Sequence, residues 1–164
     1  MIRKSGIDVR GSNMTPDRNS DLKLELYRLQ HQPLPFHPLI MVFSTGRISS
    51  RDCLPMARNP MPAVGASFSE NIVPVIEDAL RLNHSIHDGA IIFSRATKDS
   101  EYRLSAWSMR IISSRVPDHS EPNVGSAHNS ALGLSIAPEV ELCAIFSKET
   151  LTIFENGTIS RHEL

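Results

Sequence analysis

Asp88, Gly89 and Ala90 lead into the apolar run Ile91-Ile92-Phe93, which places a carboxylate and a glycine at the mouth of a strand. Further along, Gly125-Ser126-Ala127-His128-Asn129 opens a short helical stretch ending in Ala131-Leu132-Gly133-Leu134-Ser135. A carboxylate in the first position can hold Mg²⁺ or Mn²⁺ beside a nucleotide and help deprotonate a ribose hydroxyl. Gly89 and Ala90 let the backbone come close to a flat or charged ligand. A helix N-terminus at Gly125-Ser126 offers unpaired N–H groups and the positive end of a dipole to phosphate. Each piece also has a plainer reading. An Asp-Gly step at a strand entrance is a common turn, Ser126 is a good helix cap, and a lone His128 is more often a hydrogen-bonded structural residue than a ligand.

Other chemistries find less support. The seven histidines give no metal site by spacing. His84 and His87 are close, but the strand that follows unwinds the turn they share. His31, His37, His119 and His162 fall in segments without pattern. Cys53 and Cys143 have no Cys-x-x-Cys partner, and there is neither a Gly-x-Gly-x-x-Gly run nor a loop ending in Gly-Lys-Ser/Thr. With 17 Lys and Arg against 18 Asp and Glu, the net charge is −1, so no strong field draws nucleic acid or an anionic membrane. No apolar run approaches the roughly 20 residues of a membrane span. Two cysteines and a polar start without a leader pattern point to the reducing cytoplasm.

The elements that must carry these residues follow from periodicity. Residues 1–20 read as a polar tail. Leu22, Leu26 and Leu29 have helical spacing, while Leu22, Leu24 and Leu26 also alternate like a strand, and both readings stay open. Three prolines in 32–38 enforce an extended or turning chain. A strand follows at Leu39 to Phe43, closed by Ser44-Thr45-Gly46. Residues 49–67 read as one long connection. Ser69 caps a helix with Pro74 in its first turn and Ile72, Ile76, Ala79 and Leu80 on one face, reaching Asn83. Ala90 to Phe93 is apolar throughout and reads as a central strand. After a turn at Thr97-Lys98-Asp99-Ser100, Tyr102 to Ile112 is a longer strand. Residues 114–124 are a loop, Ser126 caps a helix to Gly133, and Leu142 to Phe146 is a strand. Ser147-Lys148-Glu149-Thr150 turns the chain, and Asn156-Gly157 joins two last strands as a hairpin. The order predicts an α/β fold, a mixed central sheet with flanking helices. The organisation expected is a tail (1–20), a segment of unclear role (21–66) and a core (67–164).

Together these pieces resemble the diadenylate cyclase domain family, over about Ile72 to Arg161. Its first motif, Asp-Gly-Ala preceded by His, is matched by His87, Asp88, Gly89 and Ala90. Its second, Gly-Thr-Arg-His-Arg followed by Ala-Ala-Leu-Gly-Leu-Ser, is matched at Gly125, Ser126, His128 and at Ala131 to Ser135. A third, Ser-Glu-Glu-Thr, is matched by Ser147, Glu149 and Thr150, with Lys148 in place of the first Glu.

The resemblance implies a nucleotide-binding domain that condenses two ATP into cyclic di-AMP with release of pyrophosphate, as a face-to-face homodimer using Mg²⁺ or Mn²⁺. It implies Asp88 as the catalytic residue. Gly89, Ala90, Gly125, Ser126, His128 and Asn129 would bind nucleotide, and Asp88, His128 and Glu149 would contact metal. Both arginines of the second motif are replaced, by Ala127 and Asn129. Charge-assisted hydrogen bonds contribute ~1.5–3 kcal/mol each. Losing two costs roughly 3–6 kcal/mol, about a hundredfold to ten-thousandfold in turnover or affinity. The activity expected is therefore weak or altered, and the alternative is a catalytically inactive cyclase-fold sensor that binds a nucleotide without turnover. Arg110, Arg115 and Lys148 are the nearby cations that would substitute.

Overall fold

The computed structural model describes residues 19–118, 122 and 124–164. Residues 1–18 of the tail expected at 1–20, and His119, lie outside these residues. Asn19 is buried and precedes the first helix, α1 (Ser20–Gln30), which takes in residue 20 as well as the segment from 21. Leu22, Leu26 and Leu29 are buried, while Leu24 is 47% exposed, which decides the ambiguous segment in favour of a helix.

Seven strands form one sheet: β1 (Leu39–Thr45), β2 (Cys53–Pro55), β3 (Ala90–Arg95), β4 (Arg103–Ile111), β5 (Val140–Phe146), β6 (Thr150–Glu155) and β7 (Thr158–Glu163). Their spatial order is β2-β4-β3-β1-β5-β6-β7. β1 and β3 are parallel and every other pair is antiparallel. The expected mixed α/β sheet is therefore present. β1 is its middle strand, so the sheet runs without a break across residues 66 and 67.

Alternation assigns the strand side chains to two faces. Met41, Phe43, Ile91, Phe93, Leu142, Ala144 and Phe146 pack on one face with α1 and with α2 (Val73–Leu82). Val42, Ala90, Ile92 and Cys143 pack on the other with α3 (Ser126–Leu134), through Ala131, Leu132 and Leu134.

Two expectations need correction. The connection 49–67 contains β2, and its end bonds to β4 through Gly65 N–H to Leu104 O and Leu104 N–H to Ala66 O, both 2.8 Å. Three residues ending at Pro55 are too few to show a period of two, and an edge is where such a proline is tolerated. The Ser69 hydroxyl does not cap α2. It accepts from Asn71 N–H at 3.1 Å in a turn ahead of the helix, which begins at Val73 with Pro74 in its first turn. The hairpin forms as expected, with Asn156 at φ +47° and Gly157 at φ +77°, the mirror-image turn that suits the strand twist.

Candidate functional site

A single 3-10 turn, His84–His87, sets up Asp88. The Asn83 side chain accepts from Ser85 N–H, and Asp88 N–H closes the turn on Ser85 O, both at 3.1 Å. Asp88 then leaves extended, Gly89 takes φ +92°, and β3 starts at Ala90. A Cβ on Gly89 would lie 2.5 Å from Met56 Cε and 2.8 Å from the Ser108 carbonyl carbon. Glycine is thus required twice, by φ and by space. Ser108 is itself buried at φ +49°, a strained conformation for a serine.

The Asp88 carboxylate is two-thirds exposed and meets the Arg58 guanidinium at 3.4 Å. Arg58 is held from behind by Ser85 O (3.2 Å), Ser108 Oγ (3.3 Å) and Ala57 O (3.2 Å).

On α3, Gly125 occupies the cap position and Ser126 is the first helical residue, with no side-chain cap bond. The Ser126 hydroxyl is thus not spent on capping, contrary to the simplest sequence reading. Ser126, Ala127 and Ser130 face the sheet end occupied by Asp88. His128 lies about 100° further round the helix and packs edge-on against Phe154 at 4.8 Å between centroids. Asn129 is exposed. A Cβ on Gly133 would come within 2.8 Å of Arg115 O, so the β4–α3 loop lies directly on the helix.

That loop is tied to the start of β2 by Asp52. Its carboxylate, almost fully buried, accepts from Ser113 Oγ (2.8 Å), Arg115 Nε (3.0 Å) and Arg115 Nη2 (3.3 Å). Burial alone would raise the Asp52 pKa. The hydrogen bonds from Arg115 and Ser113, with the Arg115 charge, outweigh it and hold the carboxyl below its usual range.

Three clefts adjoin one another through shared lining residues. One of about 250 Å³ is lined by Asp88, Gly89 and Ala90 together with Ser126, Ala127 and Ser130, and by Ile40, Met109 and Arg110. A second, of about 400 Å³, lies between the 54–58 segment, Asp88 and Arg110. The largest, about 620 Å³, sits at the carboxyl ends of β1 and β3. Its lining includes Gly46, Arg47, Ile48, Cys53, Ile92, Ser94 and Ser105, and it shares Met109 with the first. Across its serine-lined side, Ser94 Oγ lies 2.8 Å from Ser44 Oγ and 3.0 Å from Ser105 Oγ. An irregularity in the β3–β4 register between Ile92 and Phe93 leaves Ser105 as the extra residue that joins this row. Burial, and then the Asp52 charge, pushes the Cys53 thiol up to about 12, so it is a neutral wall of this cleft at pH 7.

The structure thus brings Asp88, Gly89, Ala90 and Ser126 to one cleft, with Gly125 capping the helix beside it. It does not bring His128, Asn129 or Glu149 there. Glu149 is exposed in the β5–β6 turn, at the Asp88 end of the sheet but beyond β1. The expected metal set of Asp88, His128 and Glu149 is not assembled, and among the described residues no group of three or more His, Cys, Asp or Glu is placed to hold a metal ion. Helical rotation turns His128 away, and two strand spacings, about 10 Å, separate β3 from β5. Of the three cations expected to substitute, Arg115 is committed to Asp52, Lys148 is exposed in the β5–β6 turn, and Arg110 lines the cleft. Sequence reading missed Arg58, Met56 and Ser130. Arg58 and Met56 lie in the unpatterned connection, where no periodic signal exists; Ser130 is legible only once the helix phase is known.

Among the described residues no helix is long and apolar enough to cross a membrane. No protein-family model matches the chain, and no curated protein matches it in sequence. Among solved structures, one titled as a hypothetical membrane spanning protein from Bacillus cereus is similar at TM-score 0.58 and 16% identity, over 88% of this chain. This chain spans 64% of the length of that structure. DacA from Staphylococcus aureus, a diadenylate cyclase solved as a double mutant, is similar at TM-score 0.48 and 18% identity, over 88% of this chain and 84% of that one. At these identities what is shared with the Bacillus cereus structure is the fold, and the lower score of the second adds nothing to it.

Proposed function

We propose that this chain is a nucleotide-binding domain of diadenylate cyclase type, which condenses two ATP into cyclic di-AMP and two pyrophosphates with weakened or altered activity. The observation that carries the reading is the cleft in which the Asp88-Gly89-Ala90 step and the start of α3 stand together, although far apart in sequence. Phosphates lie at the Asp88 and Ser126 end, where helix N–H groups point. The nucleoside extends along β3 toward the cleft walled by Ile92 and Ser94. From Ala90 to Ser94 the strand rises about 13 Å, comparable with the length of a nucleotide.

Asp88 orients the 3′-hydroxyl of one ATP. That oxygen forms a bond to the α-phosphorus of the other, the bond to pyrophosphate breaks, and the hydroxyl proton passes to solvent; the step then repeats with the roles exchanged. The donor set at the cleft suits Mg²⁺ or Mn²⁺ arriving with the substrate, because such ions take one or two carboxylates and complete their shell with phosphates and water. Asp88 would hold the ion, which supplies positive charge to the phosphate oxygens. His128, packed on Phe154, positions α3. Two sites must face one another, so the active species is a homodimer. An ATP substrate and the two free thiols, Cys53 and Cys143, suit a cytoplasmic setting.

The test is to incubate the pure chain with ATP and Mn²⁺, search for cyclic di-AMP, and sediment it with and without ATP. Product and an ATP-promoted dimer are expected. A chain that neither binds nor converts ATP ends the proposal. A second reading, binding without turnover, is favoured by the Arg58–Asp88 pair and by Ala127 at the cleft wall. Calorimetric binding of ATP or cyclic di-AMP with no product would select it.

A further inference from the structure

We propose that Arg58 and Arg110 form an anion subsite for a phosphate chain, on the β2 side of Asp88, and supply the cationic grip that Ala127 and Asn129 do not. The inference rests on the nucleotide reading for its natural ligand, but its chemistry is that of any linear polyphosphate.

The cleft of about 400 Å³ between the 54–58 segment and β4 holds two guanidinium groups and one carboxylate, Asp88. One carboxylate cannot neutralise both, so the cleft carries a net positive charge. Arg58 is rigid: its side chain is only 16% exposed, and its Nε and Nη1 are occupied by Ser85 O, Ser108 Oγ and Ala57 O. Its Nη2 points to Asp88 at 3.4 Å, well beyond the ~2.7–2.9 Å of a strong charge-assisted bond. That weakly engaged nitrogen is the one a phosphate oxygen would take.

Arg110 stands opposite Leu54 on β4. It is exposed, and it makes no ion pair or side-chain hydrogen bond among the described residues. It borders both this cleft and the one at the start of α3, as do Met56 and Asp88. A phosphate chain anchored at Ser126 therefore continues past Asp88 into the arginine cleft without leaving the surface. Planar guanidinium forks match tetrahedral oxyanions in a way that an ammonium does not.

The test is calorimetry of the full chain with sodium tripolyphosphate and with ATP, at low and high salt, on the wild type and on Arg110→Gln, Arg58→Gln and Arg58→Lys. The wild type is expected to bind both probes. Arg110→Gln should weaken both at least tenfold and flatten the salt dependence. Arg58→Gln should weaken both at least as much, and Arg58→Lys should recover only part, because it keeps the charge and loses the fork. Thermal melts accompany each variant. Arg110 is an exposed strand residue, so its variant carries the test should Arg58→Gln unfold. Wild-type affinity unchanged in Arg110→Gln overturns the inference, and so does a wild type that binds neither probe. Tripolyphosphate binding that is lost in Arg110→Gln, in a chain that gives no cyclic di-AMP and gains no affinity from the nucleoside, upholds the anion subsite and removes the cyclase reading alone.

Discussion

Beneath α1 and α2, Phe43 stacks on Phe93 at 5.3 Å, Phe68 sits edge-on to both, and Tyr102 closes against Phe43. On the opposite face of the same strands, Val42, Ile92 and Ala106 lie under a single nine-residue helix and beside two open clefts. Phe154 is the one phenylalanine packed on that side. Neighbouring residues serve opposite ends: Phe93 seals one face while Ile92 lines the cleft on the other. The sealed face supplies the burial that holds the sheet rigid. The sheet can then leave Asp88 at its end and Arg110 at its edge in water without unfolding the strands that carry them.

The largest effect should come from the sealed face. Phe93→Ala leaves a closed cavity and should cost about 3–5 kcal/mol in denaturant unfolding, whereas Ile92→Ala, whose vacated space opens to a cleft, should fall near ~2 kcal/mol. Equal losses would mean that the two faces do not differ in packing as argued.

The reverse pattern is expected at Asp88. Asp88→Asn should abolish cyclic di-AMP formation while stability stays within about 1 kcal/mol, because the side chain is largely exposed. A large stability loss without change in nucleotide chemistry would return the residue to the role of a turn.

The Asp52 clamp links the open face to the sheet edge. Its folded pKa is depressed, so its contribution is complete above the unfolded value, about 3.9, and is lost as pH falls through the folded value. Asp52→Asn should cost about 1–3 kcal/mol near neutral pH and nothing at a pH below the folded value. Melts across pH 2 to pH 7 (roughly the carboxylate range) check the convergence.

The smallest effect separates two positions on α3. Ala127 faces the cleft and Asn129 faces solvent, so Ala127→Arg should tighten ATP binding about tenfold, roughly 1.4 kcal/mol, and Asn129→Arg by much less. Equal gains would show that screened charge, not placement, sets the affinity.

Much of this chain is legible in one dimension. The apolar run Ala90 to Phe93, the Asn156-Gly157 turn and the succession of elements from Ala90 onward follow from periodicity and turn chemistry, which are local properties. So do the candidate Asp88-Gly89-Ala90 step and the helix opening at Gly125. The leucines at 22–29, by contrast, fit a helix and a strand alike until burial decides. Tertiary structure decided the rest. It placed β1 at the centre of the sheet and paired β2 with β4, because strand neighbours are fixed by register between distant segments. It turned His128 onto Phe154 and Ala127 into the cleft, because one residue of helix is a rotation of about 100°. It delivered Arg58, from a segment with no pattern, to the carboxylate at Asp88. A sequence states which groups can do chemistry; which of them meet depends on packing between parts of the chain that share no local signal.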